Sequence, residues 1–427
     1  MAAESGVRIR FGSGAHAAWL LPAVVGAILH VGTALLRLGT FIPYPRLLDF
    51  ASFYAGAWAL RQGLSPYRWG PELESLQRAL GLTFPLPNSP PAWLLFVAPL
   101  TWLPFRAAAW LWLALLLAAI ALCAHWMADL AGWRGGQASA LALLGVLSFG
   151  PVMLSLTLGQ AAPLLLLAAL ACGRSLERRG QAPAMALWLA AVAAKLFPLA
   201  WAGAWLARRR WALLAGAALG VALLAVLPAA VSPGASAQYL AYLPQQAGHF
   251  AEQALLDDQS LPPWLQRLGA AGTYAAPGLD PSQLQPVTWP GVGGDPSVWR
   301  SLGLALSALL SAAGGWVAWR LGRRSREAAF YLWVLCCLLP IPHMERYNLV
   351  LLLPGMAWLW GQGRRGVAAW AYLLAGLSRL THLWARALPW PWAALAAGWG
   401  LYAVLVLAAA LAREVLCSGA VPVLREA

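Results

Sequence analysis

Long apolar runs alternate with short polar breaks along the chain. The runs fall at about residues 17–38, 92–104, 106–127, 138–158, 160–173, 183–206, 211–230, 298–320, 328–341, 347–361, 366–385 and 390–412. The longer ones suffice to cross about 30 Å of hydrocarbon as helices. Two polar stretches interrupt this rhythm. The first, residues 39–91, carries Leu47-Leu48-Asp49-Phe50, a Leu64-Ser65-Pro66-Tyr67 turn, a short helix at about 72–80 and a Pro-rich run ending in Pro90-Pro91. Within it Phe50, Phe53 or Tyr54, Ala57 and Leu60 recur at three- and four-residue steps, which predicts an amphipathic helix lying against a surface. The second, residues 231–297, is polar, rich in Gly and Pro and nearly free of Lys and Arg, and reads as a long loop.

Composition sharpens the class. The 427 residues are 61% hydrophobic and 10% charged, against about 25% charged in soluble domains. An all-α polytopic membrane protein follows, a single domain over 1–427. A net charge of +14 would suit nucleic acid, but the arginines cluster between apolar runs at 174/178/179, 208–210, 323/324/326 and 364/365. Such clusters mark cytoplasmic loops, so no nucleic-acid partner is expected. With Arg8 and Arg10 in a cytoplasmic start, both long loops and the Pro342-His343 turn fall outside. The first apolar run is followed by no small-residue cleavage site and is read as a retained span. Cys123, Cys172, Cys336 and Cys337 sit inside apolar segments, which speaks against disulfides. The run 183–206 lies between two cytoplasmic clusters yet is too short for two crossings. With Lys195 at its middle and Phe197-Pro198 after it, two half-helices meeting near the outer surface are expected. Span parity before residue 206 is ambiguous, so the count is roughly 10 to 13 transmembrane helices at membrane-spanning length.

Candidate chemistry lies in polar residues within or at the rims of these runs: Asp49, Gln160, Lys195, His343, Glu345 and Arg346. Ionisable groups at such depth are costly unless paired or hydrated, which makes each a functional candidate. Asp49 opens a helix at the mouth of the bundle. A base and an N-cap both fit it, and local sequence favours the cap. Lys195 is the only lysine among 29 basic residues. It reads either as a snorkelling side chain or as a point charge awaiting an anion such as a phosphate. His343 could help cap a span, or could join Arg346 one turn away in donating to a phosphate. Gln160 reads locally as an inter-helix hydrogen-bonding residue, and Asp257-Asp258 as solvated loop. The remaining histidines have no metal-ligand spacing, so no metal is expected.

In order along residues 45–355 the chain carries Asp49-Phe50, Tyr54-Ala55-Gly56, Gly63-Leu64-Ser65-Pro66-Tyr67, Pro90-Pro91 before Phe96-Val97-Ala98-Pro99-Leu100, and Leu103-Pro104-Phe105. Gly159-Gln160, Lys195-Leu196-Phe197-Pro198, Gln259-Ser260-Leu261 with Arg267, and Pro342-His343 follow. This ordered set resembles glycosyltransferase family 87, the polyprenyl-phosphate-mannose-dependent mannosyltransferases of the GT-C fold. Asn88-Ser89 stands where the family often has an aromatic residue, Ala162 where an Asn follows Gly-Gln, and Asp258 where an Asn commonly precedes Gln-Ser-Leu.

The resemblance implies a GT-C membrane enzyme that moves a sugar, mannose in the first instance, from a polyprenyl phosphate to a glycolipid or glycan hydroxyl with inversion. It implies an active site on the outer face of the cell membrane. It raises Asp49 from cap to general base and gives Lys195, with His343 and Arg346, the donor phosphate. Tyr54, Gln160, Asp258 and Gln259 become pocket candidates, with no cofactor. A polyprenyl-phosphate-arabinofuranose transferase on the same fold, a transporter or flippase of an anionic lipid, and a scaffold without chemistry are the alternatives.

Overall fold

The computed structural model describes residues 17–41, 47–176, 181–253, 256, 258–277, 284–321, 325–341 and 343–417. Arg8, Arg10, Arg178, Arg179, Asp257, Arg323, Arg324 and Pro342 lie outside the described residues. The protein is an all-α polytopic membrane protein with one small β-hairpin. In chain order come α1 (Ala17–Phe41), α2 (Leu48–Arg61), α3 (Pro71–Leu80), α4 (Pro91–Val97), α5 (Phe105–Leu130), α6 (Gly136–Ser148) and α7 (Gly150–Leu158). Then follow α8 (Ala162–Ser175), α9 (Ala182–Ala194), α10 (Ala202–Ala207), α11 (Trp211–Val231), α12 (Ala235–Gln253) and α13 (Leu261–Gly269). A hairpin of β1 (Gly272–Pro277) and β2 (Leu284–Trp289) leads to α14 (Pro296–Leu321), α15 (Arg326–Leu338), α16 (Leu353–Gly361), α17 (Arg365–Leu377), α18 (Thr381–Ala387), α19 (Trp392–Ala396) and α20 (Trp399–Cys417).

Among the described residues, 5 helices are individually long and apolar enough to cross a membrane, α1, α5, α11, α14 and α20, or up to 6 with α6 and α7 taken as one span bent by 69°. The sequence count of roughly 10 to 13 is reached only by including shorter or broken apolar helices, because several runs that read as single spans change course midway. The run 183–206 is such a case. Helix α9 stops at Ala194, Lys195 is extended (φ −146, ψ 138), and a 3-10 turn at Phe197–Trp201 restarts the chain into α10. Pro198 explains the restart: it has no N–H to continue α9 and fixes a first-turn φ.

Two expectations need correction. Helix α2 does not lie on a surface but is covered on both sides. Phe50, Phe53, Tyr54, Ala57 and Leu60 face the main core, while Ala51, Ala55 and Ala59 pack on Leu73, Leu82 and Phe84 of the segment that follows α2. The alanine stripe at four-residue spacing is small enough for that following segment to close over it. A side chain at Gly56 would put its Cβ 2.7 Å from Pro87 Cγ, so the Pro-rich run approaches at backbone distance. Residues 231–297 are likewise not an irregular loop. They fold into α12, α13 and the hairpin, in which Thr273 pairs Thr288 and Tyr274 pairs Val287. Pro262 falls in the first turn of α13, where a missing N–H costs nothing, and Gly303 of α14 lets Pro262 approach closely.

Candidate active site

The site is assembled where four chain segments meet, and glycine makes the first junction. Helix α7 ends at Gly159 in the left-handed region (φ 72), and the Gln160 N–H returns to the Ser155 carbonyl at 2.8 Å, a helix stop that glycine fits best. A Cβ on Gly159 would lie 2.7 Å from the Cβ of Phe50 and 3.2 Å from that of Leu47, so this turn rests directly on the start of α2. The Trp112 indole N–H donates to the Gly159 carbonyl at 2.8 Å, and Phe50 stacks on the same indole at 5.4 Å. With the two backbones locked together, Gln160 Nε2 donates to Asp49 Oδ2 at 2.8 Å. Gln160 Oε1 is buried and accepts no hydrogen bond from the described residues.

Asp49 is not the cap of α2. The N-cap position is Leu47, held left-handed at φ 41 and ψ 55, and no side chain caps the helix. A bulky residue in that region is uncommon and tends to mark functional strain. Asp49 therefore sits inside the first turn, where the helix end favours a carboxylate, with its oxygen turned to Gln160. Burial raises its carboxyl above the ordinary range and the Glu345 charge raises it further. The Gln160 hydrogen bond and the Lys195 charge offset this in part, leaving a pKa of about 7.

Lys195, at the break after α9, points its ammonium at Tyr347. Nζ lies 3.4 Å from the phenol oxygen and 5.5 Å from the ring centroid. Its charge is felt by both Asp49 and Glu345. Across from it His343 is clamped between two carboxylates, Nδ1 to Asp258 Oδ2 at 2.8 Å and Nε2 to Glu345 Oε1 at 3.2 Å. Burial alone would lower the imidazole pKa, but the charge and hydrogen bond of Asp258, then those of Glu345, raise it to about 10. Two carboxylate partners also require both ring nitrogens to be donors. Burial would raise Glu345 as well. The His343 hydrogen bond and charge and then the Lys195 charge prevail and hold it below the ordinary value.

The other expected residues take supporting places. Asp258, 2% exposed, accepts from the Ser260 N–H (2.9 Å) and hydroxyl (2.6 Å) and from the Met344 N–H (3.0 Å), besides His343. Burial works to raise its carboxyl, yet these donors and the His343 charge hold it low. Arg267, fully buried, donates to the Asp258 carbonyl at 2.8 Å. Gln259 ties the same segment to the C-terminal helices, accepting from Gly400 N–H at 2.8 Å and donating to the Ala397 carbonyl at 3.2 Å. The Tyr54 hydroxyl donates to the Leu103 carbonyl at 2.9 Å and its ring packs on Phe105. Arg346 donates to the Arg379 carbonyl at 3.4 Å and lines a small cavity with His30, Gly150 and Arg379. The structure thus gathers Asp49, Gln160, Lys195 and His343, and turns Tyr54, Gln259 and Arg346 to scaffold contacts. Glu345 and Tyr347 join the cluster without having been given a role from sequence. Their signal is the extended backbone of Glu345 (φ −70, ψ 153) two residues after His343, which a run of polar letters does not reveal. Among the described residues no group of three or more His, Cys, Asp or Glu is arranged to hold a metal ion.

A carboxyl with a pKa near 7, a lysine whose charge it feels and an imidazole held by two carboxylates thus meet in one buried polar cluster of a helical membrane protein. The profile of glycosyltransferase family 87 matches residues 89–342. The chain belongs to that family. The matched span contains Gln160, Lys195 and Asp258 and stops just before His343, while Asp49 precedes it. No curated relative and no solved structure matches the chain. Membership makes the protein a membrane glycosyltransferase.

Proposed function

We propose that this family 87 enzyme transfers a sugar, mannose in the first instance, from a polyprenyl phosphate to an acceptor hydroxyl on the outer face of the cell membrane, with inversion. Asp49 takes the acceptor proton. The freed oxygen attacks the anomeric carbon as the bond from that carbon to the phosphate oxygen breaks, and the polyprenyl phosphate leaves carrying the electron pair. The observation that carries this reading is Asp49 fixed by Gln160 within reach of the Lys195 charge. A base with a pKa of about 7 is matched to neutral pH. An ammonium preorganised where negative charge grows stabilises departure. Gln160 Oε1, buried and open, suits an acceptor or donor hydroxyl. His343 keeps positive charge beside the leaving group while orienting Glu345, the counter-charge of Lys195. Glu345, the second carboxylate felt at Asp49, is engaged by His343, which suits single displacement with Asp49 as base, whereas double displacement calls for a second carboxylate placed as nucleophile.

Sugar transfer by full-length protein in nanodiscs tests this, with short-chain polyprenyl-phosphate mannose as donor and a membrane glycolipid extract as acceptor. Asp49→Asn is expected to lower turnover by at least about 100-fold, the scale of a general base, with donor still bound. Lys195→Gln is expected to weaken donor binding and turnover together. Equal transfer by wild type and Asp49→Asn would remove Asp49 from the reaction. Lipid movement across the bilayer without transfer from any polyprenyl-phosphate sugar would replace the enzyme reading with a flippase.

A further inference from the structure

Lys195 meets an aromatic ring rather than an acid, and the two backbones explain how. The extended residue at the end of α9 sends its side chain, half-buried, towards the turn after His343. In that turn the Asn348 N–H returns to the Glu345 carbonyl at 2.9 Å and a 3-10 helix begins at Arg346–Leu352. This sets the Tyr347 ring, 3% exposed, beside the ammonium. The phenol oxygen is 3.4 Å from Nζ and the ring centroid 5.5 Å.

An ammonium in a cluster of carboxylates would ordinarily close on one of them. Lys195 feels the charge of Glu345 most and that of Asp49 next. Among the described residues it forms an ion pair with neither. Glu345 is taken by His343 Nε2 at 3.2 Å and Asp49 by Gln160 Nε2 at 2.8 Å. Tyr347 lies among all three groups. Both carboxylates act on its phenol by charge, and Glu345 also as a hydrogen-bond acceptor. The hydroxyl therefore stands between ammonium and carboxylate, accepting from Lys195 and donating to Glu345. A π face and a neutral hydroxyl attract an ammonium without cancelling its charge. A direct pair with Glu345 would cancel it, and an arriving phosphate would first have to break that pair.

We propose that Tyr347 is a positioning residue for the donor phosphate: its phenol keeps the Lys195 ammonium off Glu345 and so leaves that charge to the anion. This rests on the reading of Lys195 as the partner of the phosphate. Tyr347 acts through Lys195 and takes no proton in the transfer.

Calorimetric titration of the full-length protein in detergent with farnesyl phosphate tests the role. Tyr347→Phe keeps the ring and removes the hydroxyl, and is expected to bind about tenfold more weakly, the scale of one hydrogen bond to a charged group. Adding Glu345→Gln to Tyr347→Phe removes the competing carboxylate and is expected to restore most of the affinity, which a merely structural loss would not allow. A second measurement needs no ligand. Lys195 is the only lysine in the sequence, so protein isotopically labelled at lysine Nζ gives one side-chain ammonium signal by NMR. That signal is expected to move in Tyr347→Phe and to return towards its wild-type position in the double variant. Unchanged or tighter binding by Tyr347→Phe, no rescue by Glu345→Gln, or an unmoved signal would each overturn the role of Tyr347 and leave Lys195 its phosphate. Wild-type affinity in Lys195→Gln would instead remove Lys195 from the phosphate and overturn both.

Discussion

At the residue scale the proposed base is Asp49, and its environment sets a pH dependence. A base works only when ionised, and burial with the neighbouring Glu345 charge places the Asp49 pKa at about 7. Turnover is therefore expected to climb with pH through the neutral range and level off above it, tenfold lower for each unit below the midpoint. His343, held to about 10, stays charged across that whole limb and does not shape it. Removing the Glu345 charge should make Asp49 easier to ionise, so Glu345→Gln is expected to move the limb's midpoint to more acidic pH. The pH profile of kcat in both proteins measures this, and an unmoved midpoint would separate Glu345 from the base. The sequence made Asp49 a candidate because it is an ionisable residue opening a helix at the rim of the apolar spans. Local sequence favoured a cap and only the family resemblance favoured a base; that Asp49 is not the cap turns on Leu47 adopting a left-handed backbone, and its partner Gln160 arrives from 111 residues away.

At the element scale the junction of α7 with α2 rests on one glycine, and a second glycine with the same backbone supplies the comparison. Gly159 and Gly63 both have φ of 72, but a Cβ at Gly63 meets nothing within 4 Å, whereas at Gly159 it reaches Phe50 at 2.7 Å. Alanine at either position incurs left-handed strain on the order of 1–3 kcal/mol. Only Gly159→Ala must also push α2 away, and with it Asp49 from Gln160. The expected outcome is a lower apparent melting temperature for both variants in detergent, a larger drop for Gly159→Ala, and a loss of transfer confined to Gly159→Ala. Element by element, what the apolar pattern could show was continuity and interruption. The break at Lys195 was legible because Phe197-Pro198 cannot continue a helix. The cover over α2 was not, because Ala51, Ala55 and Ala59 read as neutral spacers until Leu73, Leu82 and Phe84 are seen packed on them. Residues 231–297 read as loop because α12 carries Pro244 and α13 opens on consecutive prolines, letters that suggest breaks and here fall at helix starts or are tolerated within.

At the scale of the whole molecule, the segments around Asp258 and His343 are joined by an ion pair between residues 85 apart, besides the Met344 N–H to Asp258 bond. No local pattern announces such a pairing, since each partner taken alone reads as an interfacial histidine or a solvated acid. Its depth makes it consequential: the side chains are 12% and 2% exposed, and Arg267 and Ser260 close around the same aspartate. Removing one partner of a buried pair leaves a charge without compensation, at a cost of about 3–5 kcal/mol. The pair also fixes how stability follows pH. His343 has a raised pKa in the folded protein, so its contribution is complete below its ordinary value of 6.5 and is lost as pH rises through about 10. Asp258 has a lowered pKa, so its contribution is present above the ordinary carboxylate range and is lost only as pH falls through that lowered value. The pair's contribution to the melting temperature in detergent is thus expected to hold level at mildly acidic pH and to decline between 6.5 and 10, while Asp49, raised from 3.8 to about 7, adds a decline of its own as pH rises towards neutral. In Asp258→Asn the level region should be lower and the alkaline decline shallower, because His343 no longer has its strongest reason to stay charged. An alkaline decline equally steep in Asp258→Asn would mean that these two segments are held by apolar packing and that the pair merely sits between them.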